Sequence, residues 1–398
     1  MRTVKGYQRG INLGGWLSQG SLEKEHLDTF IQEEDIARIA SWGADHIRLP
    51  LDYENIEYED GRTKEEGFSY IDTCVYWCRK YHLNLVLDLH KTYGYIFDDP
   101  EYSKDFFHSE KLQKRFLATW EKIIERYAKN ADMMMFELLN EVVPCDVVDE
   151  WNELALKGIA VIRKAAPTAK ILYGGVSYNA VTSIKKLLPP ADENIVYNFH
   201  CYEPLLFTHQ TAQWVKDMPI DFHIGYPGEL DEYMHLSKTM AGTMVGALAD
   251  ESLHLTTLGP DFFEKMFRDG IEAAERLNVP LYCGEYGVID QAPPEDTVRW
   301  FHDINSVFTK YGIGRAVWTY KEKDFGIVGS HYDSVRKELI KSIRKLFGCQ
   351  LVLDSFRRSK TVLQFIQCSI VKTVSFDRCI GVVLHNRQIA NDSTDIGQ

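Results

Sequence analysis

Residues 133–141 read Met-Met-Met-Phe-Glu-Leu-Leu-Asn-Glu, a mostly apolar run that ends on an amide and a carboxylate. This pattern is typical of a buried parallel strand, which is apolar along its length and polar where it reaches the surface. A second stretch of this kind, residues 281–287, reads Leu-Tyr-Cys-Gly-Glu-Tyr-Gly. We therefore predict that Glu141 and Glu285 lie at the C-terminal ends of two strands and carry the chemistry.

Strand-like and helix-like stretches alternate along most of the chain. Eight strands are predicted within residues 9–13, 46–50, 84–90, 133–141, 170–175, 195–202, 281–287 and 314–320. Helices are predicted within residues 34–42, 69–82, 110–129, 148–165, 180–188, 260–277, 296–311 and 334–347. This alternation predicts an α/β protein with a (β/α)8 TIM barrel over residues 1–347. A doubly wound open sheet is the alternative, which the absence of a Gly-x-Gly-x-x-Gly turn after the first strand disfavours.

Two segments do not fit the simple repeat. Residues 203–259 are too long for an ordinary loop and are rich in aromatic residues, so we predict a β6–α6 insertion that forms a lid or a cleft wall. Residues 348–398 follow the last predicted helix and lack clean periodicity. They are interpreted as a C-terminal extension of unknown role, poorly ordered or non-native, whose deletion should leave activity intact.

Composition narrows the class of partner. The formal net charge of −13 argues against nucleic acid, which needs clustered Lys and Arg. No run is long enough to span a membrane, and the first residues lack the apolar segment of a secretory signal. We expect a cytoplasmic monomer, or an extracellular one if a leader was removed. The eight cysteines contain no Cys-x-x-Cys pair, and neither a metal nor a cofactor is predicted.

Two carboxylates at neighbouring strand ends suit cleavage of a glycosidic bond. One, protonated, gives its proton to the leaving oxygen, while the other attacks the anomeric carbon or activates a water molecule. A glutamate at a strand end is, taken alone, more often a surface group. Arg48 and Glu137 have the equally simple interpretation of a buried ion pair that fills the barrel. The coincidence of many polar and aromatic groups at one end of the predicted sheet favours an active site.

Several motifs carry a family resemblance in the expected order along the chain. They are residues 10–16 (Gly-Ile-Asn-Leu-Gly-Gly-Trp), 46–50 (His-Ile-Arg-Leu-Pro), 88–90 (Asp-Leu-His), 136–141 (Phe-Glu-Leu-Leu-Asn-Glu), 198–202 (Asn-Phe-His-Cys-Tyr), 282–285 (Tyr-Cys-Gly-Glu) and Trp318. In these motifs the chain resembles glycoside hydrolase family 5, the cellulase family. Within it the chain resembles clostridial-type endoglucanases that act on β-1,4-glucans and mixed-linkage β-1,3-1,4-glucans.

The resemblance implies a retaining mechanism, with Glu141 as general acid/base and Glu285 as nucleophile. It also implies a set of supporting residues around the catalytic sugar: Arg48, His90, Asn140, His200, Tyr202 and Trp318. Among these, Asn140 would bind the sugar 2-OH, Tyr202 and Arg48 would support the nucleophile, and Trp318 would form a platform for the sugar ring.

The chain departs from the family pattern at two places. Lys91 stands where relatives often have a second histidine, and Val142 and Val143 precede Pro144 where relatives often have an earlier proline. Substrate preference therefore stays open between a β-glucanase and a β-mannanase, xyloglucanase, exo-β-glucanase or broad β-glucosidase. A non-catalytic carbohydrate-binding barrel is disfavoured because both carboxylates are present. A barrel enzyme for phosphorylated metabolites is disfavoured because the last strand ends carry no Gly-rich anion site.

Overall fold

A closed barrel of eight parallel strands forms the centre of the computed structural model, which describes residues 1–216, 218–239 and 257–344. The strands are β1 (Gly10–Asn12), β2 (His46–Asp52), β3 (Asn84–Lys91), β4 (Met134–Glu137), β5 (Lys170–Gly174), β6 (Ile195–His200), β7 (Leu281–Tyr286) and β8 (Gly314–Val317). Each strand pairs with the next one in the chain, and β8 closes the barrel on β1. The predicted (β/α)8 barrel is confirmed.

Helices surround the strands. They are α1 (Lys24–Thr29), α2 (Glu33–Ser41), α3 (Tyr53–Ile56), α4 (Glu65–Lys80), α5 (Pro100–Ser103), α6 (Glu110–Tyr127), α7 (Val148–Ala165), α8 (Leu205–Thr208), α9 (Leu230–Thr239), α10 (Pro260–Leu277), α11 (Pro294–Tyr311) and α12 (Arg336–Arg344). The helix predicted over 180–188 is instead a short 3₁₀ helix, Val181–Lys186. Two prolines follow at 189 and 190 and prevent its extension.

The interior of the barrel is apolar in one part and polar in another. An apolar cluster inside the strands consists of Val4, Tyr7, Val86, Met135, Leu172, Val196, Tyr282 and Ala316. Along β3, Val86, Asp88 and His90 alternate on one face, so this face changes from apolar to polar toward the C-terminal end of the strand. On β3, the buried polar groups therefore lie at the end where TIM barrels carry their active sites.

Strand β4 ends four residues before Glu141, whereas the sequence predicted a strand through residue 141. The Leu138 carbonyl accepts a hydrogen bond from Trp120 Nε1 at 3.0 Å. In a continued strand, this carbonyl would instead accept a main-chain hydrogen bond from the neighbouring strand. Asn140 N still donates to Leu89 O at 3.2 Å, which keeps the segment beside β3. Glu141 thus lies on an irregular segment just beyond the strand.

The insertion after β6 contains α8 and α9 and builds its own small core. Phe207, Tyr226 and Tyr233 are buried, whereas Trp214 is 58% exposed. Residues 217 and 240–256 of the insertion lie outside the described residues, as does the predicted extension 348–398. Among the helices that the structure describes, none has the length and hydropathy that crossing a membrane requires.

Candidate active site

Glu141 and Glu285 meet at the C-terminal end of the barrel. One carboxylate oxygen from each, together with a ring nitrogen of His200, lie within 4.8 Å of one another. The two glutamates are 8% and 5% exposed. In retaining glycosidases the two catalytic carboxyl groups are about 5–5.5 Å apart, and inverting enzymes need a wider gap for a water molecule. The observed proximity therefore fits a retaining arrangement.

Glu285 is held through both of its oxygens. Arg48 Nη1 donates to Oε1 at 2.8 Å, and Tyr202 Oη donates to Oε2 at 2.8 Å. Burial, followed by the nearby carboxylates of Glu285 and Glu141, raises the pKa of the Tyr202 phenol well above its ordinary value. Tyr202 consequently keeps its proton and acts as a donor, so the carboxylate of Glu285 is fixed in orientation by two donors.

Glu141 has a different environment. Its Oε1 lies 2.7 Å from His200 Nδ1, while Glu285 Oε2 lies 3.8 Å from the same nitrogen. Burial, followed by the charge of Glu285, raises the pKa of the Glu141 carboxyl well above its ordinary value. Burial also lowers the pKa of His200 well below its ordinary value, so the imidazole is neutral. Glu141 therefore keeps its proton, while Glu285 is held by two hydrogen-bond donors. Such unlike environments allow one carboxyl to act as the acid and the other as the nucleophile.

Arg48 connects the barrel interior to this pair. Its Nε and Nη2 donate to the two oxygens of Glu137 at 2.7 and 2.8 Å, and Asp88 lies 3.0 Å from Nη2. Nη2 also donates to Asn140 Oδ1 at 2.8 Å. The buried Arg48–Glu137 pair and the contact of Arg48 with Glu285 are therefore both present. Because Asn140 accepts from Arg48 through Oδ1, its amide nitrogen is left to donate toward a ligand.

His90 and Trp318 form a stacked pair, with ring centroids 5.7 Å apart and planes at 9°. His90 Nδ1 lies 2.7 Å from Asp88 Oδ2, and its Nε2 lies 3.1 Å from the amide nitrogen of Gln19. Burial lowers the pKa of His90 to about 4, so the ring is neutral, donates from Nδ1 and accepts at Nε2. His90 therefore covers one face of Trp318, and Trp318 is only 5% exposed.

Lys91 lies at the barrel rim and contacts Asp52 rather than the two glutamates. Its Nζ is 3.6 Å from Asp52 Oδ2, and Asp52 also accepts from Ser18 Oγ at 2.6 Å and Gln19 N at 3.1 Å. Sequence reasoning did not identify Asp52 or Gln19. The predicted second strand ended at residue 50, and extending its alternation by two residues would have placed Asp52 at the same rim.

The comparisons with known proteins agree with this geometry. A sequence profile described as Cellulase (glycosyl hydrolase family 5) matches residues 8–324. The chain is 43% identical over 315 residues to Cellodextrinase A of Ruminococcus flavefaciens, which covers 79% of this chain and 86% of that protein. It is 41% identical over 341 residues to Endoglucanase C of Acetivibrio thermocellus, covering 84% of this chain and 97% of that protein.

Solved structures show the same fold. The clostridial cellulose synthase subunit Z from Clostridioides difficile has a TM-score of 0.67 at 25% identity, covering 85% of this chain and 100% of that chain. Cel5A of Thermotoga maritima in complex with cellobiose also has a TM-score of 0.67, at 23% identity, covering 85% and 98%. The resemblance read from the motifs is confirmed, and this chain belongs to glycoside hydrolase family 5.

Proposed function

We propose that this protein is a retaining glycoside hydrolase that cleaves β-1,4-glucosidic bonds in cellulose-type or mixed-linkage β-glucans. Glu141 is the general acid/base and Glu285 the nucleophile. The observation that carries the proposal is the close approach of two carboxyl groups in unlike environments, within 4.8 Å of each other. One group has a raised pKa, and the other is held by Arg48 and Tyr202.

In the first step, Glu285 attacks the anomeric carbon as Glu141 gives its proton to the departing glycosidic oxygen. The bond from the anomeric carbon to the leaving oxygen breaks, and an ester between the sugar and Glu285 forms. Arg48 and Tyr202 aim the attacking carboxylate and limit its motion. The Asn140 amide is available for the sugar 2-OH, because Arg48 already occupies its oxygen.

In the second step, the loss of charge on Glu285 changes the behaviour of Glu141. The negative charge of Glu285 is one cause of the raised pKa of Glu141. Ester formation removes that charge, so the pKa of Glu141 falls and its carboxylate can take a proton from an attacking water molecule. Hydrolysis of the ester releases the sugar with its original anomeric configuration and restores both carboxyl groups.

The relatives named cellodextrinase and endoglucanase support a β-1,4-glucan as substrate. Chain-length and linkage preference depend on the rim, where this chain has Lys91 and the insertion after β6. A β-mannanase, a xyloglucanase and an exo-acting β-glucanase or β-glucosidase are the other outcomes that a substrate test distinguishes.

The test is product profiling on barley mixed-linkage glucan, carboxymethyl cellulose, glucomannan and xyloglucan. We expect wild-type protein to release a ladder of oligosaccharides from the first two, initially as the β-anomer. Glu285→Gln should release none. Glu141→Gln should lose activity on the polymers but should still react with dinitrophenyl β-cellobioside, because the leaving group of this substrate needs no proton. Added azide should speed turnover of this substrate by the variant and should be recovered as the β-glycosyl azide.

Other outcomes would revise the proposal in defined ways. A single short product would indicate exo action. Products from glucomannan alone would indicate a β-mannanase, and products from xyloglucan alone would indicate a xyloglucanase. Release of the α-anomer, or near-normal turnover by Glu285→Gln, would overturn the mechanism. Absence of any product from wild-type protein with a normal circular dichroism spectrum would favour the carbohydrate-binding interpretation.

A further inference from the structure

The main chain around Glu141 is held by groups outside the set of residues that carry the family resemblance. Tyr95 Oη donates to the Glu141 carbonyl at 2.8 Å and accepts from Val143 N at 2.8 Å. One phenol thus bridges the segment across the residue that follows Glu141. A proline at position 143 would have no N–H to donate, so this bridge uses a position where the chain departs from the family pattern.

The carbonyls on either side of Glu141 are held from the loop after β5. Tyr178 N donates to Val142 O at 3.2 Å, and Asn179 Nδ2 donates to Asn140 O at 3.4 Å. Together with the Tyr95 contact, three consecutive carbonyls of an irregular segment therefore each accept a hydrogen bond. Such a segment would otherwise lack the pairing that holds the residues of a regular strand.

Tyr95 is itself rigidly placed. Its main chain exchanges hydrogen bonds with that of Thr92 at 2.8 and 3.1 Å. Its ring packs against Phe106 and Phe107, with centroids 5.2 and 5.3 Å away, and the residue is 1% exposed. Because the ring has no room to turn, the hydroxyl group is a fixed point to which the Glu141 segment is attached.

The turn after β5 has an unusual backbone. Ser177, Tyr178 and Asn179 all have positive φ, at 59°, 57° and 56°, a conformation that non-glycine residues rarely adopt and that is found in turns and clusters at active sites. The Asn179 side chain anchors the turn by accepting from Gly175 N at 2.9 Å. A Cβ on Gly174 would lie 2.3 Å from Asn179 Oδ1, so the strand ends in glycine where this side chain packs.

The turn at residues 177–179 also contacts His200, the residue that lies beside the Glu141 carboxyl. Asn179 O accepts from His200 N at 2.9 Å, and His200 Nδ1 lies 2.7 Å from the Glu141 carboxyl. We propose that Tyr95 and Asn179 are positioning residues that fix the main chain of Glu141 and thereby set the direction of proton transfer by the acid/base. The inference rests on the proposed function, because it assigns Glu141 that role.

Tyr95→Phe is the test, and Tyr7→Phe is its matched control. Tyr7 is also a buried tyrosine, and its Oη donates to a main-chain carbonyl, Met133 O, at the same distance of 2.8 Å. Met133 precedes the start of β4, whereas Glu141 follows its end. Both variants remove a phenol-to-carbonyl bond at opposite ends of one strand, and Tyr95→Phe also leaves Val143 N without its acceptor. A loss of stability alone should therefore not distinguish one substrate from another in either variant.

The substrates separate positioning of the acid/base from general damage. With cellotetraose, which needs a proton on the leaving oxygen, we expect kcat/KM of Tyr95→Phe to fall roughly tenfold or more. With dinitrophenyl β-cellobioside, kcat/KM should stay within about twofold of wild type, since it reports only formation of the ester. For Tyr95→Phe on this activated substrate, kcat and KM should both fall, because Glu141 also serves as base when water cleaves the ester in the second step. Added azide needs no base and should restore kcat. Tyr7→Phe should show none of these changes.

Equal losses on both substrates, or the same behaviour in Tyr95→Phe and Tyr7→Phe, would overturn the proposal. If Tyr95→Phe does not fold, Asn179→Ala provides a second test. This variant removes the donor to Asn140 O together with the oxygen that accepts from Gly175 N. It should show the same split between substrates. Failure of the wild-type protein on both substrates would instead count against the proposed function.

Discussion

The guanidinium of Arg48 donates to Glu285 at 2.8 Å while its other nitrogens hold Glu137 at 2.7 and 2.8 Å, so the candidate nucleophile is joined to the centre of the barrel. Arg48 is completely buried, and the carboxylates of Asp88, Glu137 and Glu285 outweigh the effect of burial and raise its pKa well above the ordinary value. A residue with these contacts supports both the fold and the chemistry.

Arg48→Met should destabilise the fold strongly. Removing the cation leaves Asp88 and Glu137 buried without it, and loss of one partner from a buried ion pair costs about 3–5 kcal/mol. Urea unfolding at about pH 9, above the pKa of about 8 of both carboxyls, measures the loss. Arg62→Met is the control, because the Arg62–Asp60 pair is mostly exposed and should contribute little. Similar unfolding midpoints for the two variants would contradict the assignment.

Tyr202→Phe should reduce catalysis, because Glu285 loses one of the two donors that orient it. The variant removes the donor to Glu285 Oε2 but leaves Arg48 on the other oxygen. A hydrogen bond to a charged group contributes about 1.5–3 kcal/mol, so we expect kcat/KM to fall about ten- to a hundredfold. Tyr197→Phe is the control on β6, the strand that precedes Tyr202, since that hydroxyl donates to Leu188 O at 2.6 Å, outside the catalytic cluster. An effect no larger than in this control would count against a role for Tyr202.

Stability should fall as the pH rises from about 6.5 to about 8. Burial raises the pKa of both Asp88 and Glu137 to about 8, so the native state keeps protons that the unfolded chain has already lost. Burial lowers the pKa of His90 to about 4 and of His209 to about 3. These two groups change stability in the opposite direction, but their contribution to the slope is halved at the ordinary histidine pKa of about 6.5 and vanishes about one pH unit above it. Each proton retained in the native state contributes a decrease of about 1.4 kcal/mol per pH unit.

Urea unfolding at intervals across this pH range gives the slope. Glu137→Gln should make it shallower, because one of the two groups no longer titrates. A flat or rising profile in the wild-type protein would show that the carboxyl groups are ionised throughout the range.

Lys91→Met should alter substrate preference and leave the chemistry intact. Lys91 Nζ lies 3.6 Å from Asp52 at the rim, and Asp52 keeps its donors Ser18 and Gln19 in the variant. We expect kcat on dinitrophenyl β-cellobioside within about threefold of wild type, since the ion pair of Lys91 is with Asp52 and not with either catalytic glutamate. The ratio of kcat/KM between mixed-linkage glucan and glucomannan should change. A large loss of kcat on the activated substrate would place Lys91 nearer the reacting atoms than the structure does.

Much of the architecture was predictable from local patterns. Apolar runs that end on polar residues predict buried parallel strands, and their alternation with amphipathic stretches predicts the barrel. The same reasoning indicated Glu141 and Glu285, because the C-terminal ends of parallel strands meet at one rim. The local pattern does not distinguish the 3₁₀ form of Val181–Lys186 from an α-helix, and the early end of β4 depends on a side-chain contact from Trp120 on α6.

By itself, the sequence determined the fold class, the order of the elements and which carboxylates share one end of the barrel, since these follow from the spacing of apolar and polar residues. Only the tertiary structure decided how each group behaves. Arg48 binds three carboxylates, and Tyr95 reaches the Glu141 carbonyl from 46 positions away. Desolvation and the charge of Glu285 make Glu141 retain its proton. These properties depend on which atoms are brought together and deprived of water, and that is settled when the barrel closes.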